Sequence, residues 1–555
     1  MIDTLNKTFA IPSLGEKSSY AEQQNYKKVS GSRFRCAHKI EYIPIYRCEF
    51  PKRKRGIVVT YKNLHFSRQL SLKRMLQSKE TFYFCPMRKK NKRQHFENVE
   101  VVDAGAKGKT VGKAPDGRVI FITNTVPGDI VDVRTTKKRK AYFEGVATTF
   151  HSLSDKRVEP ECQHFGVCGG CKWQNMGYEH QLFYKQKEVE NNLKRIGHLE
   201  LPDISSIIGS KKQYFYRNKM EFSFSDSRWL TLDEINSDNT ITEKNALGFH
   251  IPGMWDKILD IEKCHLQKDP SNAIRLETRK FAIANDISFF NTRNQYGMLR
   301  TLMIRTTSTG EIMVLVQFFE NDEEKRKLLL DHLSNTFPEI TSLLYVINSK
   351  QNDTIYDQEV ICHSGRDHIF EEMEGLQFKI NAKSFYQTNS EQAYELYKVT
   401  RNFADLTGEE LVYDLYTGTG TIAQFVAKKA KKVVGIEAVP EAIADAKENA
   451  KNNSIENAEF FTGDMKNVFN KDFIAAHGVP DVIITDPPRD GMHKDVVAQI
   501  LKIAPKKIVY VSCNSATQAR DLELMKDMYR VTKVQPVDMF PQTHHVENVV
   551  LLEKL

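Results

Sequence analysis

The last third of the chain alternates short apolar segments with helical patterns, and this alternation limits the folds open to it. Four apolar segments end in loops that carry glycine, proline, acidic or small polar residues; they lie at residues 410–416, 432–436, 482–485 and 507–511. Strands that alternate with helices in this way are typical of an open, doubly wound parallel sheet. Such sheets bind ligands at the carboxyl ends of their strands, so we expect the functional residues in these loops.

The first two of these loops have the features of a nucleoside-binding site. Residues 417–421 read Thr-Gly-Thr-Gly-Thr, and glycines at the start of a helix let the backbone approach a ligand closely. Glu437 ends the next strand, 19 residues after Gly418, where an acid can hold ribose hydroxyls. Asp464 follows the third strand and can meet an adenine amino group. The spacing is not the Gly-x-Gly-x-x-Gly of a dinucleotide site, which disfavours a nicotinamide cofactor.

The later loops carry a candidate nucleophile and a candidate base. Cys513 follows a buried-strand pattern and lies between Ser512 and Asn514. A buried cysteine is more often a small core residue, but a polar loop at a strand end favours a nucleophile. Glu547 follows two histidines and precedes the apolar segment at residues 549–552. The sequence therefore predicts a thiol and a carboxyl group at one edge of the sheet.

The positive charge of the chain is concentrated in its N-terminal fifth. Residues 1–86 contain 17 lysines and arginines against 6 acidic residues, and residues 88–93 add five more cations. The whole chain carries a net charge of only +9, so the remainder is acidic. A basic arm is typical of nucleic-acid binding. The alternative is a disordered or spurious extension over residues 1–94, with Met87 as the true first residue.

The middle of the chain predicts a small β-barrel and then a mixed region. Short β-branched segments separated by Pro-Asp-Gly and Pro-Gly-Asp turns fill residues 95–153. Residues 154–374 combine a helical pattern at residues 178–196 with strand-like segments. No apolar run reaches 18 residues and the N-terminus has no apolar core of a signal peptide, so we expect a cytoplasmic protein without a membrane span.

Three cysteines lie close together, at Cys162, Cys168 and Cys171. Glycines between them allow tight turns, and Cys264 can supply a fourth thiolate from further along the chain. This clustering favours a metal centre in a reducing compartment over a disulfide framework. Four cysteines can hold either an iron–sulfur cluster or a tetrahedral zinc ion, and the spacing leaves both open.

Residues 215–222 mix cations with aromatic side chains. Such a strand can bind phosphates and stack splayed bases. The alternative is an ordinary amphipathic strand whose aromatic residues belong to the core.

Taken together, the motifs resemble the RNA uracil-C5 methyltransferase family that carries a TRAM barrel. The resemblance runs from about Phe96 to the C-terminus and rests on residues 486–491, on residues 510–514 with Thr517, Arg520 and Asp521, and on residues 540–547. It implies an OB-like TRAM barrel at residues 95–153, a mixed α/β central RNA-binding domain at 154–374, and a Rossmann-like methyltransferase domain at 375–555.

The resemblance also implies the chemistry and the residues that perform it. Uracil C5 is a poor nucleophile, so a thiolate must first add to C6, and a base must later remove the C5 proton; Cys513 and Glu547 match these roles. The positions that match the S-adenosylmethionine site are Gln387, Tyr416, Thr421, Glu437, Asp464 and Asp486. Thr417 and Thr421 depart from the commoner Cys and Asn. Relatives with these four cysteines carry a [4Fe–4S] cluster, and the target base must leave its stack.

The expected partner is a structured RNA, with no obligate protein partner. Relatives with a TRAM barrel and four cysteines mostly modify large-subunit ribosomal RNA, so we expect a uridine of 23S rRNA, with the T-loop uridine of tRNA as the alternative. The sequence disfavours two other classes of protein. A non-catalytic RNA-binding protein would lack Cys513 or Glu547, and a DNA cytosine methyltransferase normally has its cysteine after proline.

Overall fold

The computed structural model describes residues 93–237 and 241–555. The predictions for the basic N-terminal segment, including a start at Met87, lie outside the described residues. The described part from residue 93 onward belongs to one compact unit. No helix in this part is long and apolar enough to cross a membrane.

The first five strands close into a barrel in the order β1-β2-β3-β5-β4. Alternate side chains such as Val131, Val133 and Phe143 are buried inside it, as the period of two along a strand requires. The strands are β1 (His95–Ala104), β2 (Thr110–Lys113), β3 (Val119–Thr123), β4 (Ile130–Lys138) and β5 (Tyr142–Ser152). The predicted barrel is confirmed.

A cysteine-containing loop leads from the barrel to helix α1 (Tyr178–Arg195). One face of α1 packs against the segment that precedes the last strand of the chain. There the buried Lys185 ammonium donates to Asp538 at 2.6 Å, and Gln181 exchanges hydrogen bonds with Gln542. The helix therefore joins the middle of the chain to its C-terminal end.

The central region is a seven-stranded sheet in the order β12-β11-β10-β9-β6-β7-β8. Its β9 and β10 form a long antiparallel pair, and β10 is buried along its whole length. The strands are β6 (Lys219–Ser225), β7 (Ala246–Ile251), β8 (Met254–Asp260), β9 (Leu299–Thr306), β10 (Ile312–Phe318), β11 (Ser342–Ile347) and β12 (Ile361–Gly365). The accompanying helices are α2 (Leu232–Asn236), α3 (Ser271–Ala284) and α4 (Glu323–Thr336).

A hairpin and a helix lead into the last region. The hairpin is β13 (His368–Met373) with β14 (Leu376–Asn381), and the helix is α5 (Ser390–Ala404). The predicted boundary between residues 374 and 375 falls in the turn of this hairpin, where both Glu374 and Gly375 have positive φ. The domain limits remain predictions.

The C-terminal sheet has the order β17-β16-β15-β18-β19-β21-β20. Its first five strands are parallel to one another, and β21 is antiparallel to its neighbour β19. The edge strand β20 is antiparallel to β21 and so runs in the same direction as the first five. The strands are β15 (Leu411–Leu415), β16 (Lys432–Glu437), β17 (Ala458–Thr462), β18 (Val482–Thr485), β19 (Lys507–Ser512), β20 (Tyr529–Val537) and β21 (Glu547–Lys554). The helices are α6 (Thr421–Ala427), α7 (Pro440–Asn452), α8 (Met465–Val468), α9 (Lys471–His477), α10 (Lys494–Ile503) and α11 (Ser515–Glu523). The predicted combination of barrel, mixed region and Rossmann-like sheet is confirmed.

Candidate active site

Strand pairing in the C-terminal sheet brings the candidate nucleophile and base together. Strands β19 and β21 are antiparallel neighbours, and Ser512 pairs with Asn548. The next residue in each direction, Cys513 on one side and Glu547 on the other, therefore lies at the same end of the pair. Glu547 is buried, and its charge raises the pKa of the Cys513 thiol.

The two catalytic loops are tied to each other by side chains that the family motif contains. Asn514 and Thr517 both donate to the backbone carbonyl of Arg489 at 3.0 Å. The buried Asp521 carboxylate accepts bonds from the Met492 N–H and the Tyr510 hydroxyl, each at 2.8 Å. These bonds fix residues 486–492 against the start of α11. The polar residues of the sequence motif therefore serve to hold the two loops together.

Burial and mutual repulsion keep the acids of this site close to neutral. Burial, and then the charge of Asp486, raises the pKa of Glu547 to about 8. Burial, and then Asp414, raises the pKa of Asp486 to about 7. Carboxyl groups with pKa values near 7 are suited to accept and release protons at physiological pH.

Cys513 is also governed by its surroundings. Burial, followed by Glu547 and Asp486, raises the pKa of its thiol to about 12. Arg489 acts in the opposite direction, through its charge and a hydrogen bond to the thiol. The resting thiol is therefore protonated, and Arg489 is the group that favours its thiolate form.

The glycine loop forms a cradle at the carboxyl end of β15. Gly418 has a φ of +56°, and a Cβ atom placed there would meet no atom within 4 Å, so the space beside it is open. Gly420 is packed tightly, since a Cβ atom would lie 2.9 Å from the Phe460 ring. The Gly418 N–H donates to the Glu437 carboxylate at 3.2 Å, which joins the loop to the end of the next strand.

Three further predicted cofactor positions surround this cradle. Tyr416 follows β15 with a positive φ, and burial raises its pKa to about 12, with contributions from Asp464 and Glu437. The Asp464 side chain caps α8 by accepting from the Lys466 N–H. Tyr416, Glu437 and Asp464 are thus neighbours, as the register of successive strands predicts.

The two remaining predicted cofactor residues are Thr421 and Gln387. Thr421 begins α6 and is buried, with its hydroxyl 3.4 Å from that of Thr419. Gln387 lies in the segment before α5, where its backbone carbonyl accepts a bond from Asn218. Asn218 also donates to Ser390, so the central sheet holds this segment in place.

Two residues of the site were missed from the sequence. Asp414 is fully buried at the end of β15; it accepts from the Thr417 hydroxyl at 2.6 Å, while its second oxygen has no partner among the described residues. Its position directly before the glycine loop was the available signal, because a charged residue inside a buried strand is rarely structural alone. Arg489 was also missed, although it lies within the loop that carries Asp486.

The four cysteines of the predicted metal centre line a single cavity of about 670 Å³. All four are free thiols and partly buried. The backbone N–H of Glu262 donates to His164, which ties the loop of Cys162, Cys168 and Cys171 to the segment of Cys264. Across the described ranges, however, no three His, Cys, Asp or Glu side chains are close enough to hold a metal ion.

Residues 215–222, which mix aromatic and cationic side chains, expose fewer of them than the sequence indicated. Tyr216, Met220 and Phe222 are buried in the core of the central region. Arg217 and Lys219 line the cavity that the cysteines also line. This segment therefore contributes side chains to the core and also places two cations in the lining of the cavity.

Comparisons with known proteins agree with this architecture. A TRAM domain model matches residues 94–148, and a model described as tRNA (uracil-5-)-methyltransferase matches residues 298–555. An uncharacterized RNA methyltransferase of Bacteroides thetaiotaomicron is 61% identical over 451 residues, which is 81% of this chain and 99% of that protein. One from Porphyromonas gingivalis is 54% identical, over 82% of this chain and 99% of that protein.

A solved structure shares most of the fold. It is the Pyrococcus abyssi tRNA (uracil-54, C5)-methyltransferase in complex with S-adenosyl-L-homocysteine, at 28% identity and a TM-score of 0.63, covering 82% of this chain and 100% of that one. Fold, glycine cradle and relatives define an S-adenosylmethionine-dependent RNA methyltransferase. The chain belongs to the RNA uracil-C5 methyltransferase family with an N-terminal TRAM domain.

Proposed function

We propose that the protein methylates C5 of a uridine in structured RNA through a covalent intermediate on Cys513. The observation that carries this proposal is the placement of Cys513 and Glu547 at the same end of the β19–β21 pair. S-adenosylmethionine would lie in the cradle at Gly418, next to Glu437 and Asp464. The cofactor supplies the methyl group as a sulfonium.

The Cys513 thiol first loses its proton to solvent, and the resulting thiolate adds to C6 of the uracil. The ring electrons move to O4, and C5 becomes nucleophilic enough to take the methyl group. Arg489 favours the thiolate, since it lowers the pKa of Cys513 against the effects of burial and two acids. Forming the thiolate inside this acidic pocket is therefore the step in which Arg489 acts.

Glu547 completes the reaction by removing the proton from C5. The ring electrons then return, the thiolate leaves C6, and the methylated base is released. A carboxylate whose pKa is about 8 is a much stronger base than an exposed glutamate, which suits it to a carbon acid. Its burial excludes water that would compete for the proton.

The substrate we propose is a uridine of 23S ribosomal RNA. This chain has both the four cysteines and the TRAM barrel, and the family members with this combination mostly modify large-subunit ribosomal RNA. The second candidate is the T-loop uridine of tRNA. It is supported by the Pyrococcus abyssi relative, whose name specifies uracil-54 of tRNA.

The experiment compares 5-methyluridine in ribosomal RNA and tRNA from cells with and without the protein, by mass spectrometry of nuclease fragments. Loss of one 5-methyluridine from 23S rRNA supports the first candidate, and loss from the tRNA T-loop supports the second. If every 5-methyluridine remains, uridine methylation at C5 is the wrong reaction for this protein.

We also propose that Cys162, Cys168, Cys171 and Cys264 hold a [4Fe–4S] cluster. The support is that these four thiols line one cavity and that four thiolates are the usual ligands of such a cluster. Its role would be structural, since methyl transfer has no redox step. Protein purified without oxygen should be brown with about four irons per chain, whereas a colourless protein with one zinc ion would contradict the proposal.

A further inference from the structure

The wall of the cysteine-lined cavity carries an excess of positive charge close to the active site. The cavity reaches Thr543, His544 and His545, just before Glu547. Within the described part of the chain, two acids line it, Glu221 and Asp353, and Glu221 is paired with Lys219 at 2.6 Å. The lining cations are Lys172, Arg217, Lys219, Lys263, Arg305 and Lys383. This excess favours an anionic ligand.

Arg305 is a buried cation of this wall with two unpartnered donor atoms. Its side chain is only 3% exposed, and one nitrogen, Nη2, donates to the Ser384 carbonyl at 3.0 Å. Its Nε and Nη1 have no partner among the described residues. Leaving a buried charged donor without an acceptor is costly, so these two N–H groups point to a ligand that supplies one.

A second arginine on the same strand, Arg300, has a purely structural role. Arg300 is also on β9 and is 5% exposed, but it donates to the carbonyls of Asn348, Lys350 and Gln351. Side chains alternate along a strand, and Thr301, Met303 and Arg305 face the cavity while Arg300 does not line it. Arg305 is therefore placed toward the cavity without the protein acceptors that Arg300 has.

The other residues of the cavity indicate which anion it takes. Tyr356 and Phe385 line it with 67% and 68% of their surface exposed, which is unusual for aromatic side chains. Exposed aromatic rings beside arginines and lysines bind the bases and phosphates of single-stranded nucleic acid. The Arg217 guanidinium adds a second planar donor group to the same wall. A phosphodiester with an unpaired base beside it matches this lining.

We propose that Arg305, together with Arg217, binds a phosphate of the RNA strand next to the target uridine. The inference rests on the proposed function, because it takes RNA as the ligand. Arg305 also donates to Ser384, three residues before Gln387, so the same side chain connects the bound backbone to the segment that carries a proposed cofactor residue.

The first test measures RNA affinity of Arg305→Met and of the matched control Arg300→Met. The probe is a fluorescein-labelled oligouridylate of about 12 nucleotides, titrated at several salt concentrations. We expect Arg305→Met to bind at least about tenfold more weakly, since a charge-assisted hydrogen bond is lost. Its salt dependence should fall by about 0.7 in log–log slope, the value for one phosphate on a single strand. Arg300→Met should keep wild-type affinity and slope.

A second measurement separates a phosphate contact from a structural effect. Oligouridylates that carry one uncharged methylphosphonate at successive positions are bound to wild type and to Arg305→Lys, which keeps the charge and the fold but not the planar fork. If Arg305 contacts one phosphate, the methylphosphonate at that position weakens binding to wild type and has a smaller effect on the variant. Equal effects on both proteins at every position would overturn the proposal.

The failures of the two proposals are distinguishable. If wild-type protein binds the RNA and Arg305→Met binds it equally well, the phosphate site is wrong and the proposed function stands. If wild-type protein does not bind the oligouridylate but still methylates RNA, the phosphate site is wrong and the proposed function stands. If it binds S-adenosylmethionine but neither binds nor methylates RNA, both are wrong.

Discussion

At the level of single residues, the site depends on a few buried groups whose ionisation the fold controls. Cys513 and Glu547 were predicted from their positions at strand ends, and Asp486 as a cofactor position from the family resemblance. The structure brings the three together. Asp414 and Arg489 were not predicted, because their effects come from proximity across strands and not from a local motif. Sequence identifies the reactive atoms more readily than the charges that tune them.

Replacing Cys513 by alanine should abolish turnover and leave S-adenosylmethionine affinity unchanged, because the thiol acts on the base and not on the cofactor. Methyl transfer from radiolabelled cofactor and calorimetric cofactor binding measure the two properties. The matched control is Cys362→Ala, an exposed cysteine on β12, which should behave as wild type. A Cys513→Ala protein with a tenth of normal turnover would show that another group is the nucleophile.

Replacing Glu547 by glutamine should trap the covalent protein–RNA intermediate, because the C5 proton cannot be removed. The adduct should be visible as a shifted band on a denaturing gel. In wild type, release should slow about tenfold for each pH unit below about 8, as the Glu547 carboxyl becomes protonated. Normal turnover without an adduct in Glu547→Gln would assign the proton removal to a different residue.

The raised pKa of Glu547 also has a consequence for stability. A carboxyl whose folded pKa lies above its unfolded value stabilises the fold fully below the unfolded value of about 4.3. That contribution is lost as pH rises through the folded pKa of about 8. Glu547→Gln should therefore lose less thermal stability than wild type between pH 5 and pH 9, as followed by circular dichroism. An identical loss in both proteins would mean that folding does not raise the pKa of the Glu547 carboxyl.

At the level of elements, helix α1 holds the segment that leads to the catalytic base. Lys185 donates to Asp538 and to the Phe540 carbonyl, and the Tyr178 hydroxyl donates to the other oxygen of Asp538. The helix itself was predicted from its apolar spacing. Its partner was not, because Lys185 and Asp538 are 353 positions apart in the sequence.

Removing the Lys185 ammonium should destabilise the protein strongly. Lys185→Met leaves the fully buried Asp538 without its counter-ion, which costs about 3–5 kcal/mol in free energy of unfolding. The control is Lys194→Met on the same helix, whose ion pair with Glu190 is exposed and contributes about 0.5 kcal/mol or less. Urea denaturation of both variants gives the comparison, and equal stabilities would show that the buried pair does not hold the segment.

At the level of the whole molecule, three parts of the chain meet at the cysteine loop. The backbone N–H groups of Lys172 and Trp173 donate to the Gln542 carbonyl of the catalytic segment at 2.9 and 3.1 Å. On the barrel side, a Cβ atom at Gly108 would lie 2.8 Å from the Lys172 side chain. The sequence predicted the three regions but not this junction, because backbone contacts leave no residue pattern.

The junction predicts how loss of a cysteine would act. Cys168→Ser should lower iron content and solubility, because the long loop loses the cluster that we propose holds it together. S-adenosylmethionine binding should remain intact. Cys362→Ser serves as the control, since that cysteine lies away from the cavity lining. Full iron content and normal solubility in Cys168→Ser would remove Cys168 from the proposed ligand set.

The central claim is that Cys513 forms a bond with the target uridine, and RNA containing 5-fluorouridine tests it most directly. Glu547 can remove a proton from C5 but not a fluorine, so the reaction should stop at the methylated adduct. Mass spectrometry of the digested complex should then find the modified nucleotide on the peptide that contains Cys513, in the presence of S-adenosylmethionine. If the enzyme methylates ordinary RNA but forms no adduct with the fluorinated RNA, or forms it on another residue, Cys513 is not the nucleophile.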